Sequence, residues 1–174
     1  RLDIIKRRFV DETSGYLLLR VDEDNNDDTF DMLSFELEYL DRVKYDFCVI
    51  SDYHKGFLDK DDIAQIAAKC KSRSIPTILD TKKILGDWSQ EITFVKINEK
   101  EHHAQMENGC SFPEIFCENL IVTLGSKGAQ LIIRDKLENI PTNPVEVRDV
   151  CGCGDTFMSA FVISHLETKG NIIE

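Results

Sequence analysis

Val145-Glu146-Val147-Arg148-Asp149-Val150-Cys151-Gly152-Cys153-Gly154-Asp155-Thr156-Phe157-Met158-Ser159-Ala160-Phe161 is the stretch around which the chain is organised. A β-like alternation from Val145 to Val147 meets an acid, two glycines two apart and a second acid, and an apolar-faced helix follows. Gly152 and Gly154 let the backbone approach a ligand and take angles that a side chain forbids. The N–H groups of the first helical turn then face the same space, backed by the positive end of the helix dipole. Such a turn is an anion site suited to phosphate oxygens. Asp155 is the exception, because a carboxylate in a phosphate cradle repels the ligand. Two readings stand: it takes a proton from a hydroxyl that attacks the phosphate, or it is simply a helix N-cap.

The totals describe one soluble globular domain. A length of 174 residues can bury a proper core, and 42% hydrophobic with 30% charged residues is ordinary. Lysine and arginine number 21 against 32 acids, a net charge of −11. That argues against nucleic acid or an anionic membrane as the main partner. A phosphorylated ligand is still allowed, since local backbone dipoles bind one inside an acidic protein. No apolar run approaches the ~20 residues of a membrane span, and no signal-peptide pattern is present. The six cysteines include no C-x-x-C and read as reduced thiols in a cytoplasmic protein. His102 and His103 are adjacent, so on a helix they point about 100° apart and form no ligand pair; a solvated face is expected. The chain opens on Arg1 and stops at Asn171-Ile172-Ile173-Glu174, as if cut at both ends.

Taken in order, two β-like runs, Ile4 to Val10 and Tyr16 to Val21, flank Asp11-Glu12-Thr13-Ser14-Gly15 and predict a hairpin. Its strands carry Lys6, Arg7, Arg8 and Arg20. This basic cluster either guards an exposed strand edge or captures an anionic group. Residues 22–31 hold six acids but fail as a calcium loop, with Asp27 where the turn needs Gly and Leu33 where Glu should close it. They read as a solvated connector capped by Asp28 or Thr29, and Phe30, Leu33, Leu37 and Leu40 then form a helical stripe.

Strand and helix alternate from there. Strands are expected at Phe47 to Ile50, Pro76 to Leu79, Ile92 to Ile97, Leu120 to Leu124 and Ala129 to Ile133. Helices are expected at Asp59 to Lys71 and after Asn98. The order implies a mostly parallel sheet with helices on both faces, with ligands outside the C-terminal strand ends. Polar clusters fall at those ends. Ser51-Asp52-Tyr53-His54-Lys55-Gly56 follows one strand and Asp80-Thr81-Lys82-Lys83 the next. Asn98-Glu99-Lys100-Glu101 and Thr123-Leu124-Gly125-Ser126-Lys127-Gly128 follow two others. Each has a plain structural alternative: Asn98 as a helix cap with acids in the first turn, G-x-x-G as an ordinary hairpin, Asp52 as a turn cap, and Lys55 and Lys82 as solvated lysines.

The signature D-V-C-G-C-G-D-T-F resembles the D-T-x-G-A-G-D-x-F of the PfkB, or ribokinase-like, carbohydrate kinases. The resemblance implies a ribokinase-like three-layer α/β sandwich with a β-hairpin lid remnant. It implies transfer of the ATP γ-phosphate to a sugar or sugar phosphate, with Mg²⁺. By position Asp155 resembles the catalytic base, and Gly152, Cys153 and Gly154 the anion hole. Cys153 departs from the usual Ala, adding bulk and a thiol beside the phosphate. Thr123, Gly125 and Gly128 match the family's T-x-G-x-x-G nucleotide motif. Asn98 and Glu101 match its N-x-x-E, which places Mg²⁺ through water, with Ile97 where proline is common.

Ser51 to Gly56 resembles the S-D-Y-x-K-G of the heptose-7-phosphate kinase branch that feeds ADP-heptose synthesis. Asp80-Thr81-Lys82 is similar to its D-P-K, and Leu18, Arg20 and Asp22 to its L-x-R-x-D. On that resemblance Asp52, Lys55 and Lys82 face the substrate. The expected division is a lid remnant with acidic connector over residues 1–28 and a truncated core over 29–174, and the lid could make a homodimer. The N-terminal sugar-binding part and the C-terminal segment over adenine would be missing. Two further readings remain: a family kinase for another sugar or a nucleoside, and a truncated nucleotide-binding module without turnover.

Overall fold

A computed structural model describes residues 5–23, 33–109, 113–133, 136–143, 145–147 and 150–170, with residues 22, 23 and 33–36 as backbone only. The expected caps Asp28 and Thr29 lie outside the described residues. The chain divides into two compact units, residues 30–143 and residues 1–29 with 144–174.

The larger unit is a six-stranded sheet whose spatial order follows the chain. Its strands are β3 (Cys48–Asp52), β4 (Thr77–Thr81), β5 (Phe94–Asn98), β6 (Asn119–Thr123), β7 (Ala129–Ile133) and β8 (Lys136–Ile140). β3 to β6 run parallel, and β7 and β8 turn back antiparallel. Helix α1 (Leu33–Arg42) precedes β3, α2 (Lys60–Ser72) links β3 to β4, and α3 (Glu99–Glu107) follows β5. The α2 and α3 connections are crossovers of the kind that parallel strands require. The five strands expected from Phe47 onward are present, Ala129–Ile133 as expected and the others displaced by a residue or two.

Two features differ from the sequence reading. β8 was not anticipated, because Lys-Leu-Glu-Asn-Ile is exposed throughout and owes its conformation to pairing with β7. Conversely, Val145 to Val147 form no strand; both valines are exposed, and alternation without a paired neighbour is insufficient.

The core forms where one face of the parallel strands meets α2. Ile50, Leu79, Val95, Ile97, Leu120 and Val122 pack with Ile63 and Ala67, apolar area whose removal from water is worth about 25 cal/mol per Å². α2 starts at a reciprocal cap: Asp59 Oδ1 accepts from the Asp62 amide at 2.8 Å, and Asp62 Oδ2 from the Asp59 amide at 2.9 Å. Each such cap typically contributes ~1 kcal/mol. Cys48 on β3 and Cys70 on α2 share a hydrogen bond that pushes the Cys48 thiol above its ordinary range, with burial adding to the effect.

The smaller unit contains the antiparallel hairpin of β1 (Ile5–Val10) and β2 (Leu17–Glu23) and helix α4 (Cys153–Glu167). Asp11 closes the hairpin turn, accepting from the Ser14 amide at 2.7 Å and from its hydroxyl; these bonds lower the Asp11 pKa. Arg8 lies directly opposite Arg20. No helix among the described residues is long and apolar enough to cross a membrane.

Candidate active site

The parallel strands deliver their polar ends to one edge of the sheet. Asn98, the last residue of β5, sits in register with Thr123, the last of β6. Asn98 is also the cap of α3: its Oδ1 accepts from the Glu101 amide at 2.9 Å, and Glu101 Oε2 accepts from the Asn98 amide at 2.8 Å. The structural alternative for this pair is therefore realised. It does not exhaust the pair, since a carboxylate has about four acceptor positions and an amide oxygen two. Mg²⁺ keeps several of its waters, so these part-buried oxygens fit an ion held through water better than one ligated directly. Among the described residues no cluster of three acidic, histidine or cysteine side chains could enclose a metal alone.

This geometry separates cap from metal role. Gln serves a capping box as well as Glu, so Glu101→Gln should leave the melting midpoint within about 1 °C. If Glu101 serves the ion, the Mg²⁺ concentration for half-maximal activity should rise about tenfold or more. A magnesium titration beside a thermal melt checks it.

After Thr123 the chain makes a single 3-10 turn, Gly125–Lys127. Gly125 has φ +60 with open space where a Cβ would stand, as a ligand-approach role requires. Gly128 has φ +95, and a Cβ there would lie 2.0 Å from the carbonyl oxygen of Ile140. The close approach at Gly128 is thus of protein to protein. Lys127 pairs with Glu99 at 3.1 Å, tying the turn to the start of α3.

The end of β3 is organised by a lysine that the sequence reading passed over. Lys82 is exposed. Its neighbour Lys83 is 8% exposed, and its Nζ donates to Asp52 Oδ2 at 2.5 Å and to the Leu58 carbonyl at 2.8 Å. Thr81 Oγ1 donates to the same carboxylate oxygen at 2.8 Å, and the His54 amide to Asp52 Oδ1 at 2.9 Å. Asp52 does cap its turn, and is buried in an ion pair as well. Lys55 is half-buried between His54 and Gly56, whose φ angles are +57 and +78. A left-handed histidine costs on the order of 1–2 kcal/mol.

A second buried pair lies on the opposite sheet face, one residue back. Lys96 is 5% exposed and donates to Asp80 Oδ2 at 2.8 Å, the two being register partners on β5 and β4. The available signal was a lysine inside the apolar run Phe94-Val95-Lys96-Ile97, since lysine is almost never buried unpaired.

In the smaller unit, Gly152 is the cap of α4, with φ +76, no side-chain cap bond and open space at its Cα. Asp155 sits in the first turn and is exposed, so it is not the cap residue. The Cys153 amide turns back to the Val150 carbonyl at 3.2 Å. Gly154 and Asp155 follow in the first turn, whose N–H groups lack intrahelical acceptors. The Cys153 side chain is exposed. Arg8 of the hairpin donates to Cys151 Sγ at 2.9 Å, one residue before Gly152. A separate cavity of 490 Å³ beside β3, lined by Leu37, Leu40, Tyr45, Phe57, Leu58 and Ile66, is apolar and contains none of the candidate residues.

Residues 5–171 match the model of the pfkB family carbohydrate kinase. The bifunctional protein HldE of Bradyrhizobium diazoefficiens is 28% identical over 175 residues, covering 91% of this chain and 35% of that protein. Among solved structures, phosphofructokinase-2 from Escherichia coli superposes with a TM-score of 0.69 at 18% identity, over 96% of this chain and 59% of that one. Ribokinase from Thermotoga maritima superposes at 0.64 and 21%, over 99% and 60%. The fold is ribokinase-like. The chain spans about a third of the length of the first curated relatives it matches.

Proposed function

The chain belongs to the pfkB family of carbohydrate kinases, and from that premise we propose that it transfers the γ-phosphate of ATP to a hydroxyl of a sugar phosphate. The observation that carries this reading is the turn at residues 152–155. A left-handed glycine opens a fifteen-residue helix there, with a carboxylate in the first turn. Asp155 takes the proton of the attacking hydroxyl. The amides of the turn, Gly154 and Asp155 foremost, hold the charge that develops on the transferred group. Thr123 and the Gly125 turn receive the nucleotide. Asn98 and Glu101 would hold Mg²⁺ through water, and the ion would supply positive charge to the phosphates.

Two features favour a phosphorylated acceptor. Arg8 reaches the residue next to Gly152 and stands opposite Arg20, concentrating positive charge at the hairpin. The sequence Ser51 to Gly56 resembles the heptose-7-phosphate kinases, so heptose 7-phosphate is the acceptor of choice. By its resemblance to the family the hairpin is a lid remnant. It exposes Phe9 and Leu19, in register on one face, as the surface on which two copies would dimerise. An ATP-dependent enzyme with reduced thiols belongs in the cytoplasm.

The test is ATP consumption by the 174-residue chain with Mg²⁺, over a panel of heptose 7-phosphate, fructose 6-phosphate, ribose and a nucleoside. Turnover confined to phosphorylated sugars supports the reading. Preference for ribose or the nucleoside moves the chain to another branch of the family. ATP binding without turnover of any acceptor favours a non-catalytic nucleotide module, the reading that the thiol at Cys153 supports.

A further inference from the structure

Lys83 and Asp52 form a buried ion pair that reaches both ends of the loop carrying Lys55. Asp52 holds the loop's beginning through the His54 amide, at 2.9 Å. Lys83 holds its end through the Leu58 carbonyl, at 2.8 Å. Thr81 donates its hydroxyl to Asp52 at 2.8 Å and accepts the Lys83 amide at 3.0 Å, fixing the lysine's own backbone. From the other side Gln105 of α3, 1% exposed, donates to the Lys83 carbonyl at 3.0 Å and accepts the Leu85 amide at 2.8 Å. Asp52 of β3 and the Leu58 carbonyl thus hold the ammonium group, while Thr81 of β4 and Gln105 of α3 hold the backbone of Lys83.

Stability alone does not account for this arrangement. A buried ion pair is often no better than apolar residues of the same volume, because desolvation offsets the attraction. What it supplies is direction. Lys55 lies between two left-handed residues, and such a path persists only when its surroundings over-determine it. The two clamps supply that determination.

We propose that Lys83, paired with Asp52, is a positioning residue for the 53–58 loop, and through it sets Lys55 against the phosphate group of the acceptor. This rests on the kinase reading above. Asp52 then acts by holding the loop, its two oxygens accepting three hydrogen bonds from the protein.

The experiment compares wild type, Lys83→Met and the double variant Asp52→Asn/Lys83→Met in the full chain. Two readouts are taken: hydrogen exchange of residues 53–58, and steady-state kinetics with heptose 7-phosphate. Lys83→Met leaves a buried carboxylate uncompensated and is expected to fold poorly; the double variant removes the stranded charge and should fold, with the Leu58 clamp still absent. Expected for the double variant are a roughly tenfold faster exchange of the loop and a roughly tenfold higher acceptor KM, with kcat and the ATP KM within about threefold. A purely structural pair would instead give a folded double variant with wild-type exchange and acceptor KM, and that result overturns the proposal. If wild type does not phosphorylate heptose 7-phosphate, the substrate reading fails by itself. Loop exchange then decides the positioning role: accelerated exchange in the double variant upholds the clamp, and unchanged exchange removes it.

Discussion

Asp155→Asn is expected to lower kcat by about 10²–10⁴-fold, the usual contribution of a positioned general base. ATP affinity should stay within about twofold or tighten, because a group acting only in the transition state does not support ground-state binding. Asn keeps the size and shape of Asp but cannot take the proton. The substitution also removes a negative charge from a turn that otherwise offers backbone N–H groups to phosphate, so any change in affinity should be a gain. Stability should hardly move. Asp155 is exposed in the first turn of α4, and the cap is Gly152; an acid there interacts with the helix dipole for only ~0.3–1 kcal/mol. Isothermal titration with ATP beside a coupled turnover assay checks both halves. Loss of ATP affinity in proportion to kcat would remove the base role and leave Asp155 an architectural residue.

Most of the larger unit could be read from the sequence because its strands are buried on the side that meets α2 and end in polar turn residues. Phe94 to Asn98 and Asn119 to Thr123 are apolar runs of that kind. Legibility failed where conformation depends on a partner far along the chain. β8 is a strand because β7 lies beside it, and Val145 to Val147 is not one although it alternates. The site shows the same division. The signature turn and the cap at Asn98 are local, set by glycine conformation and by hydrogen bonds across three residues, so pattern sufficed. Lys82 and Lys83 are adjacent and identical in type, and what buries one and exposes the other is Asp52, 31 positions earlier in the chain. Lys96 and Asp80 are likewise joined by strand register, which no local motif encodes.

Gly128→Ala should be the most damaging single-methyl change in the larger unit, costing about 3 kcal/mol or more. That is the range in which single substitutions can be traced to strain and overpacking. Two effects add. The residue has φ +95, where a Cβ is strained in any surroundings. The new carbon would also stand 2.0 Å from the Ile140 carbonyl oxygen and 3.0 Å from Pro141. Those are backbone atoms, so no rotamer can relieve the overlap, and β8 must part from β7 at that end. At ~2–4 °C per kcal/mol for a chain of this size, the melting midpoint should fall by roughly 6–12 °C. Gly125→Ala is the internal control. It carries a similar backbone penalty at φ +60, but its Cβ meets nothing within 4 Å, so the cost should stay near ~1–2 kcal/mol. The functional effects should run the other way round. A methyl at Gly125 protrudes into the open space proposed for the nucleotide and should weaken ATP binding. Gly128→Ala, assayed below its melting range, should lose affinity only as far as the turn is displaced. Equal stability losses in the two variants would show that backbone angle alone, and not the approach of β8, makes Gly128 obligatory.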